Sequence, residues 1–176
     1  MIAQSTAKKK GLDGIKDRIG NPRPGVKQLS TSMSFRQIDI LKKPATNRIA
    51  TASGRIKLKQ NTIRMIRKGL TEKGDPISLA KVSGIMAAKR TSELLPLCHP
   101  LKIESTTIET ALSSSGIQVT ATVSATEKTG LEMEALTATT VALLNIWDVV
   151  KAYEKDSRGQ YPTTHIQDVR VVRKSK

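Results

Sequence analysis

Apolar and polar residues alternate most cleanly between Gly116 and Ala125. Ile117, Val119, Ala121, Val123 and Ala125 share one parity, and Gln118, Thr120, Thr122 and Ser124 the other. A period of two is that of a strand with one face on a core. The preceding IESTTIETAL (103–112) reads as a second strand, joined to the first by the Ser-rich turn Ser113–Gly116. Elsewhere the period is helical. In NTIRMIRKGL, Ile63, Ile66 and Leu70 recur at helical spacing with Gly69 as a stop. Residues 79–94, LAKVSGIMAAKRTSEL, predict a small-residue-rich helix that ends before Pro96. A long helix is predicted from Leu131 to Glu154, and HIQDVRVVRK (165–174) closes the chain as a short strand. Such elements predict an α+β fold, an antiparallel sheet with helices packed on one face.

The pattern also sets the organisation. Residues 1–32 mix Gly, Pro, Lys and Ser (GNPRPG at 20–25) without apolar periodicity, which predicts a basic, disordered extension. Residues 33–176 contain no long linker, repeat or low-complexity tract and read as a single domain. Within it the long helix is apolar over more than one stripe, with Leu136, Leu143, Leu144, Ile146, Trp147, Val149 and Val150. A second subunit is therefore expected to cover a face that one small chain would leave bare.

Charge changes the picture next. Thirty Lys+Arg stand against fifteen Asp+Glu in 176 residues, a net charge of +15, so the surface favours anionic partners. Much of that charge lies at the two ends: residues 1–30 hold seven basic and two acidic residues, and the last seven hold four basic and none acidic. Nucleic acid, acidic lipid and a phosphate-rich small substrate all fit a basic chain. Only four aromatics (Phe35, Trp147, Tyr153, Tyr161) are present for base stacking, and no nucleic-acid motif is recognised, which weakens a nucleic-acid-binding module as the alternative. No run approaches the ~18 consecutive apolar residues of a membrane span. The first twenty residues lack the apolar block of a signal peptide. The lone Cys98 fits a reducing interior. A cytoplasmic protein is expected, with no membrane partner.

Three places carry candidate chemistry. On the long helix, Glu134, Thr137, Asn145, Asp148, Lys151 and Lys155 fall on one side at 100° per residue. On pattern alone Asp148 and Lys151 read first as an ordinary ion pair on a solvated face, and otherwise as proton-transfer groups. Lying inside NIWDVV, Asp148 is expected to feel desolvation, which raises a carboxyl pKa and lowers a lysine's. In LLPLCHPL (94–101), Pro96 and Pro100 stiffen the backbone around Cys98 and His99. Two adjacent donors without a third at metal spacing make a poor metal site, so no metal is expected. TEKGDP (71–76) offers Lys73 as a loop lysine or a phosphate donor, and EKTG (127–130) could place an anion at the long helix's N-terminus. Neither GxxxxGK[ST] nor GxGxxG occurs.

Taken together, KKPATNRIATASGRIKL (42–58), KVSGIMAAKRTSELLPLCHPL (81–101) and KTGLEMEALTATTVALLNIWDVVKA (128–152) resemble the cyclic pyranopterin monophosphate synthases, molybdenum cofactor biosynthesis protein C. The similarity runs from about Ile38 to about Arg173. The ending DSRGQYPTTHIQDVRVVRK is similar to the archaeal branch, and the Gly-Gly-Lys-Ser-Gly tail of other members is absent, so no role of that tail transfers.

The resemblance implies a ferredoxin-like α+β chain assembled as a homohexamer, a trimer of dimers, without a redox cofactor. It implies a lyase that converts (8S)-3′,8-cyclo-7,8-dihydroguanosine 5′-triphosphate to cyclic pyranopterin monophosphate and diphosphate. It gives the acid/base role to Asp148, essential roles to Lys73 and Lys151, and substrate contacts to Leu97, Cys98, His99, Met133 and Glu134; His99 is a further catalytic candidate. Glu134 and Asp148 are fourteen residues apart, roughly 20 Å along a helix axis at ~1.5 Å per residue. One pterin ring cannot touch both on one chain. Either the triphosphate spans that distance, or Glu134 of one chain faces Asp148 of another. The excess apolar surface favours this shared site, with Lys73 and Asp148 on different walls.

Overall fold

A computed structural model describes residues 34–176, with the compact unit at Arg36–Lys176. The expected domain boundary and the 1–32 extension lie outside the described residues. The elements are β1 (Thr46–Lys57), α1 (Gln60–Arg67), α2 (Pro76–Lys89), α3 (Thr91–Leu94), β2 (Ser105–Leu112), β3 (Gly116–Glu127), α4 (Glu132–Glu154) and β4 (His165–Ser175). The four strands form one antiparallel sheet in the order β2-β3-β1-β4, the ferredoxin-like arrangement, with α2 and α4 packed on one face.

The alternation in β3 decides the inner face: Ile117, Val119, Ala121, Val123 and Ala125 are all fully buried. Its partner β1 is a central strand that the reading above did not assign. Ala50, Ala52 and Ile56 alternate with Thr51, Ser53 and Arg55 at the same period, but two alanines and a glycine give little β-propensity. Small residues are needed there. A Cβ on Gly54 would come within 2.8 Å of Leu143 Cδ1, so α4 sits directly on this strand.

Three helix boundaries shift. Leu70 is not in α1; Gly69 turns the chain at φ 65 and leaves Leu70 exposed. The helix expected over 79–94 begins earlier, because Asp75 caps it by accepting from Ile77 N–H (3.0 Å) and Ser78 N–H (3.2 Å), and Pro76 occupies the first turn. It also ends earlier. The buried Thr91 hydroxyl donates to Ala88 O (3.0 Å) and Ala87 O (3.3 Å), taking up carbonyls at the end of α2, and α3 restarts as one separate turn.

The surplus apolar surface of α4 is covered in part from within the chain. Ala80, Gly84, Ala87 and Ala88 of α2 are small and buried, and a Cβ on Gly84 would lie 3.2 Å from Ala138 O. Close approach of α2 buries one side of α4 while the sheet buries another. Leu144 remains exposed, and Leu136 and Trp147 half-buried, Trp147 meeting Tyr161 edge-on with ring centres 5.6 Å apart. By length and hydropathy α4 would pass for a membrane span, but it is the core helix of this fold. At its C-terminal end Glu154 is fully buried, its carboxylate accepting from Lys59 N–H (3.1 and 3.2 Å) and from the Thr164 hydroxyl. Lys59 Nζ in turn donates to Lys155 O (2.9 Å). A buried carboxylate so satisfied joins α4, the start of α1 and the loop before β4.

Candidate functional site

The residues singled out above fall into two groups at opposite ends of α4. Leu97, Cys98, His99, Met133 and Glu134 line one cavity of about 570 Å³ beside the first turn of the helix. Lys73, Asp148 and Lys151 meet fourteen residues further along the helix from Glu134, and none of the three lines that cavity.

The far group is an open triad. Lys73 Nζ lies 2.9 Å from Asp148 Oδ2, and Lys151 Nζ 2.7 Å from Asp148 Oδ1. Lys73 also donates to Asp148 O (3.1 Å). Helix geometry explains the second contact, since Asp148 and Lys151 are i and i+3; the first needs the tertiary fold, which brings the loop before α2 to α4. The desolvation expected of Asp148 is outweighed here. Its side chain is 57% exposed because the apolar neighbours in NIWDVV point to other faces of the helix. Hydrogen bonds from Lys151, then Lys73, hold the carboxyl below the ordinary aspartate range. The hydrogen bond and charge of Asp148 push Lys151 above the ordinary lysine value, the reverse of the expected direction. The expectation that Lys73 and Asp148 stand on different chains is likewise overturned: they form an ion pair within one chain.

The near group is more enclosed. Glu134, expected on the solvated side of α4, is only 3% exposed, because the Leu97–Leu101 segment and the chain before β1 enclose this turn of the helix. Burial, with a smaller push from the charge of Glu132, raises its carboxyl above the ordinary glutamate value. Among the described residues its Oε2 has no hydrogen-bond partner. Such an atom costs about 1–3 kcal/mol when left unpaired, so a bound donor at this place would relieve it. Burial, then the Glu134 charge, pushes the Cys98 thiol up as well, which disfavours a reactive thiolate.

The backbone around His99 is held without its imidazole: Cys98 N–H donates to Leu95 O (2.9 Å), and Gln37 Nε2 donates to Cys98 O (3.0 Å). Arg36 and Lys43 line the same cavity and were not singled out from sequence, although Lys43 lies in a segment that carried the resemblance. At the EKTG end of α4, Glu132 stands in the first turn of the helix and accepts from Lys174 (3.0 Å). Among the described residues no three His, Cys, Asp or Glu gather as metal ligands.

Linkage gives Glu134 a signed consequence. A carboxyl whose folded-state pKa is raised binds its proton more tightly when folded, so stability falls as pH rises from the ordinary glutamate value through the raised one. Glu134→Gln should therefore match wild type near pH 4 and exceed it at neutral pH by about 1 kcal/mol, the scale of one buried polar group. Thermal unfolding across pH 4–8 measures this. A variant less stable than wild type at neutral pH would sink it.

The sequence model of the MoaC family matches residues 37–176. A Sulfolobus acidocaldarius protein named probable cyclic pyranopterin monophosphate synthase is 55% identical over 139 residues, 79% of this chain and 97% of that protein. One of the same name from Pyrococcus horikoshii is 51% identical over 141 residues, 80% of this chain and 89% of its own length. A Methanothermobacter thermautotrophicus relative, 47% identical over 141 residues with the same two coverages of 80% and 89%, is named a probable cyclic pyranopterin monophosphate synthase accessory protein. A match that begins at Gln37 and takes in the whole sheet, both halves of the candidate site and all of α4 leaves one assignment: the chain belongs to the MoaC family.

Proposed function

We propose that the protein is a lyase of molybdenum cofactor biosynthesis that converts (8S)-3′,8-cyclo-7,8-dihydroguanosine 5′-triphosphate to cyclic pyranopterin monophosphate and diphosphate. The observation that carries the reading is the triad on α4, two ammonium groups on one exposed carboxylate, in a chain of this family.

Forming a cyclic monophosphate from a triphosphate requires a sugar hydroxyl to attack the α-phosphorus. One P–O bond forms, the bond to the β-phosphate breaks, a hydroxyl proton leaves and diphosphate departs. Opening and rebuilding the purine rings requires further proton transfers. The triad supplies what these steps need. Lys73 and Lys151 can exchange part of their contact with Asp148 for phosphate oxygens and stabilise charge on the leaving diphosphate. Asp148, a carboxylate whose pKa its lysines hold below the ordinary range, is then free to accept a proton. His99, Glu134 and the cavity around them receive the ring end of the substrate, with Leu97, Cys98 and Met133 as its walls.

The length of α4 argues that these two halves do not serve one substrate within a single chain. The active site is built between subunits, the triad of one chain facing the cavity of its neighbour, in a homohexamer arranged as a trimer of dimers. Exposed Leu144, with half-buried Leu136 and Trp147, supplies apolar surface on α4 for that contact. The reaction calls for no redox cofactor, and a cytoplasmic location completes the reading.

Incubation of the purified protein with the cyclised GTP derivative tests it. Diphosphate release, with a fluorescent pterin after oxidation, is expected. No turnover, beside tight and steeply salt-dependent oligonucleotide binding, would replace the enzyme with a basic nucleic-acid-binding module.

A further inference from the structure

We propose that Tyr153 is a positioning residue that holds the Lys73 ammonium on Asp148; its importance for turnover rests on the function proposed above. Lys73 sits in the loop between α1 and α2. That loop is bracketed by two left-handed glycines, Gly69 (φ 65) and Gly74 (φ 95), and a Cβ on either would meet nothing within 4 Å. The loop's start is tied to α1 by Leu70 N–H donating to Met65 O (3.0 Å), and Thr71 is buried, whereas Glu72 and Lys73 are exposed between the glycines. Its internal bonds close it only on itself: Thr71 Oγ1 donates to Gly74 O (2.7 Å) and Gly74 N–H to Thr71 O (3.1 Å).

Among the described residues, the loop's hydrogen bonds to α4 come from two neighbouring residues. Glu72 N–H donates to Tyr153 Oη (2.9 Å), and the Lys73 ammonium donates to the side chain and carbonyl of Asp148. The second cannot secure the first. A lysine ion pair at a half-exposed position is weak, and holding the long side chain in one rotamer costs about 2 kcal/mol. The phenol oxygen instead fixes the peptide immediately before Lys73, so that its side chain starts from the right place.

Tyr153 is suited to this because it is itself anchored. It precedes the buried Glu154, its ring packs on the core, and its carbonyl accepts from Lys59 Nζ (3.3 Å). The anchor belongs to the rigid end of α4 and the cargo to an open loop. When the substrate's phosphates draw Lys73 away from Asp148, the Glu72–Tyr153 bond remains and keeps the ammonium within reach of both.

Tyr153→Phe keeps the ring and removes only the acceptor. In the full-length protein we expect an unchanged unfolding midpoint and faster amide exchange in a peptide covering 70–75. Lys73 should be acylated faster relative to Lys151, measured by mass spectrometry, and kcat should fall about tenfold, as expected of a displaced catalytic group. Unchanged exchange and labelling would overturn the tether. Faster labelling with wild-type kcat would overturn its role in positioning. A lowered midpoint with an unchanged Lys73 to Lys151 ratio would make Tyr153 merely structural and also overturn it. Wild-type protein that fails to turn over the cyclised triphosphate would instead overturn the proposed function, and the labelling ratio would still decide the tether.

Discussion

Asp148→Asn should lower turnover of the cyclised triphosphate by about two to four orders of magnitude, the range of a lost general acid or base. The fold should be kept, because an exposed ion pair contributes little to stability. The informative form of the experiment uses two inactive proteins. Asp148→Asn and His99→Ala each damage one half of the proposed site. If the triad of one chain faces the cavity of another, random exchange gives each site an intact cavity half the time and an intact triad half the time. About a quarter of wild-type activity should then return, as symmetric assembly requires. A control mixture of Asp148→Asn with Lys73→Ala should stay inactive, since those two residues pair at 2.9 Å within one chain. Recovery in the control, or none in the first mixture once mass spectrometry confirms exchange, would place the site elsewhere.

Gly116→Ala should destabilise the protein by about 4 kcal/mol or more, a size confined to backbone clashes and similar disruptions. The residue opens β3 and pairs with Lys57 at the end of β1. An added Cβ would lie 2.0 Å from Ile56 O, a backbone atom of the central strand that cannot swing aside as a side chain would. Relief requires the β1–β3 pair to part beside Ile56 and Ile117, both fully buried. Chemical denaturation measures the loss. A midpoint near wild type would mean that the hairpin turn yields without disturbing the strand pair. Gly69 and Gly74 make a useful contrast, because Cβ atoms there meet nothing and only the left-handed backbone conformation opposes substitution.

How far the fold could be read depended on how strongly each segment declared its period. β3 showed its inner face through five alternating apolar residues, and α4 declared itself by length and apolar content. β1 carried the same alternation in Ala50, Ala52 and Gly54, residues chosen for the closeness of α4 rather than for strand propensity, and so went unread. The start of α2 was legible in Asp75–Pro76, a cap followed by a first-turn proline, but an apolar count alone begins the helix too late.

The candidate site divides in the same way. Sequence alone determined the chemical inventory: a carboxylate and a lysine three residues apart on one helix, a histidine between two prolines, a loop lysine beside a glycine, and motifs specific enough to indicate a family. These are local or compositional facts, carried by spacing along the chain. Only the tertiary structure decided the surroundings. It brought Lys73 across 75 residues to Asp148, set Tyr153 under the peptide before Lys73, and left Asp148 open to solvent while burying Glu134 on the same helix. Helical period places a residue on a face, but exposure depends on what packs over that face, and here that is the chain around Leu97–Leu101. Desolvation and charge pairing follow from those contacts, so the pKa directions of Asp148 and Lys151 came out opposite to the sequence expectation.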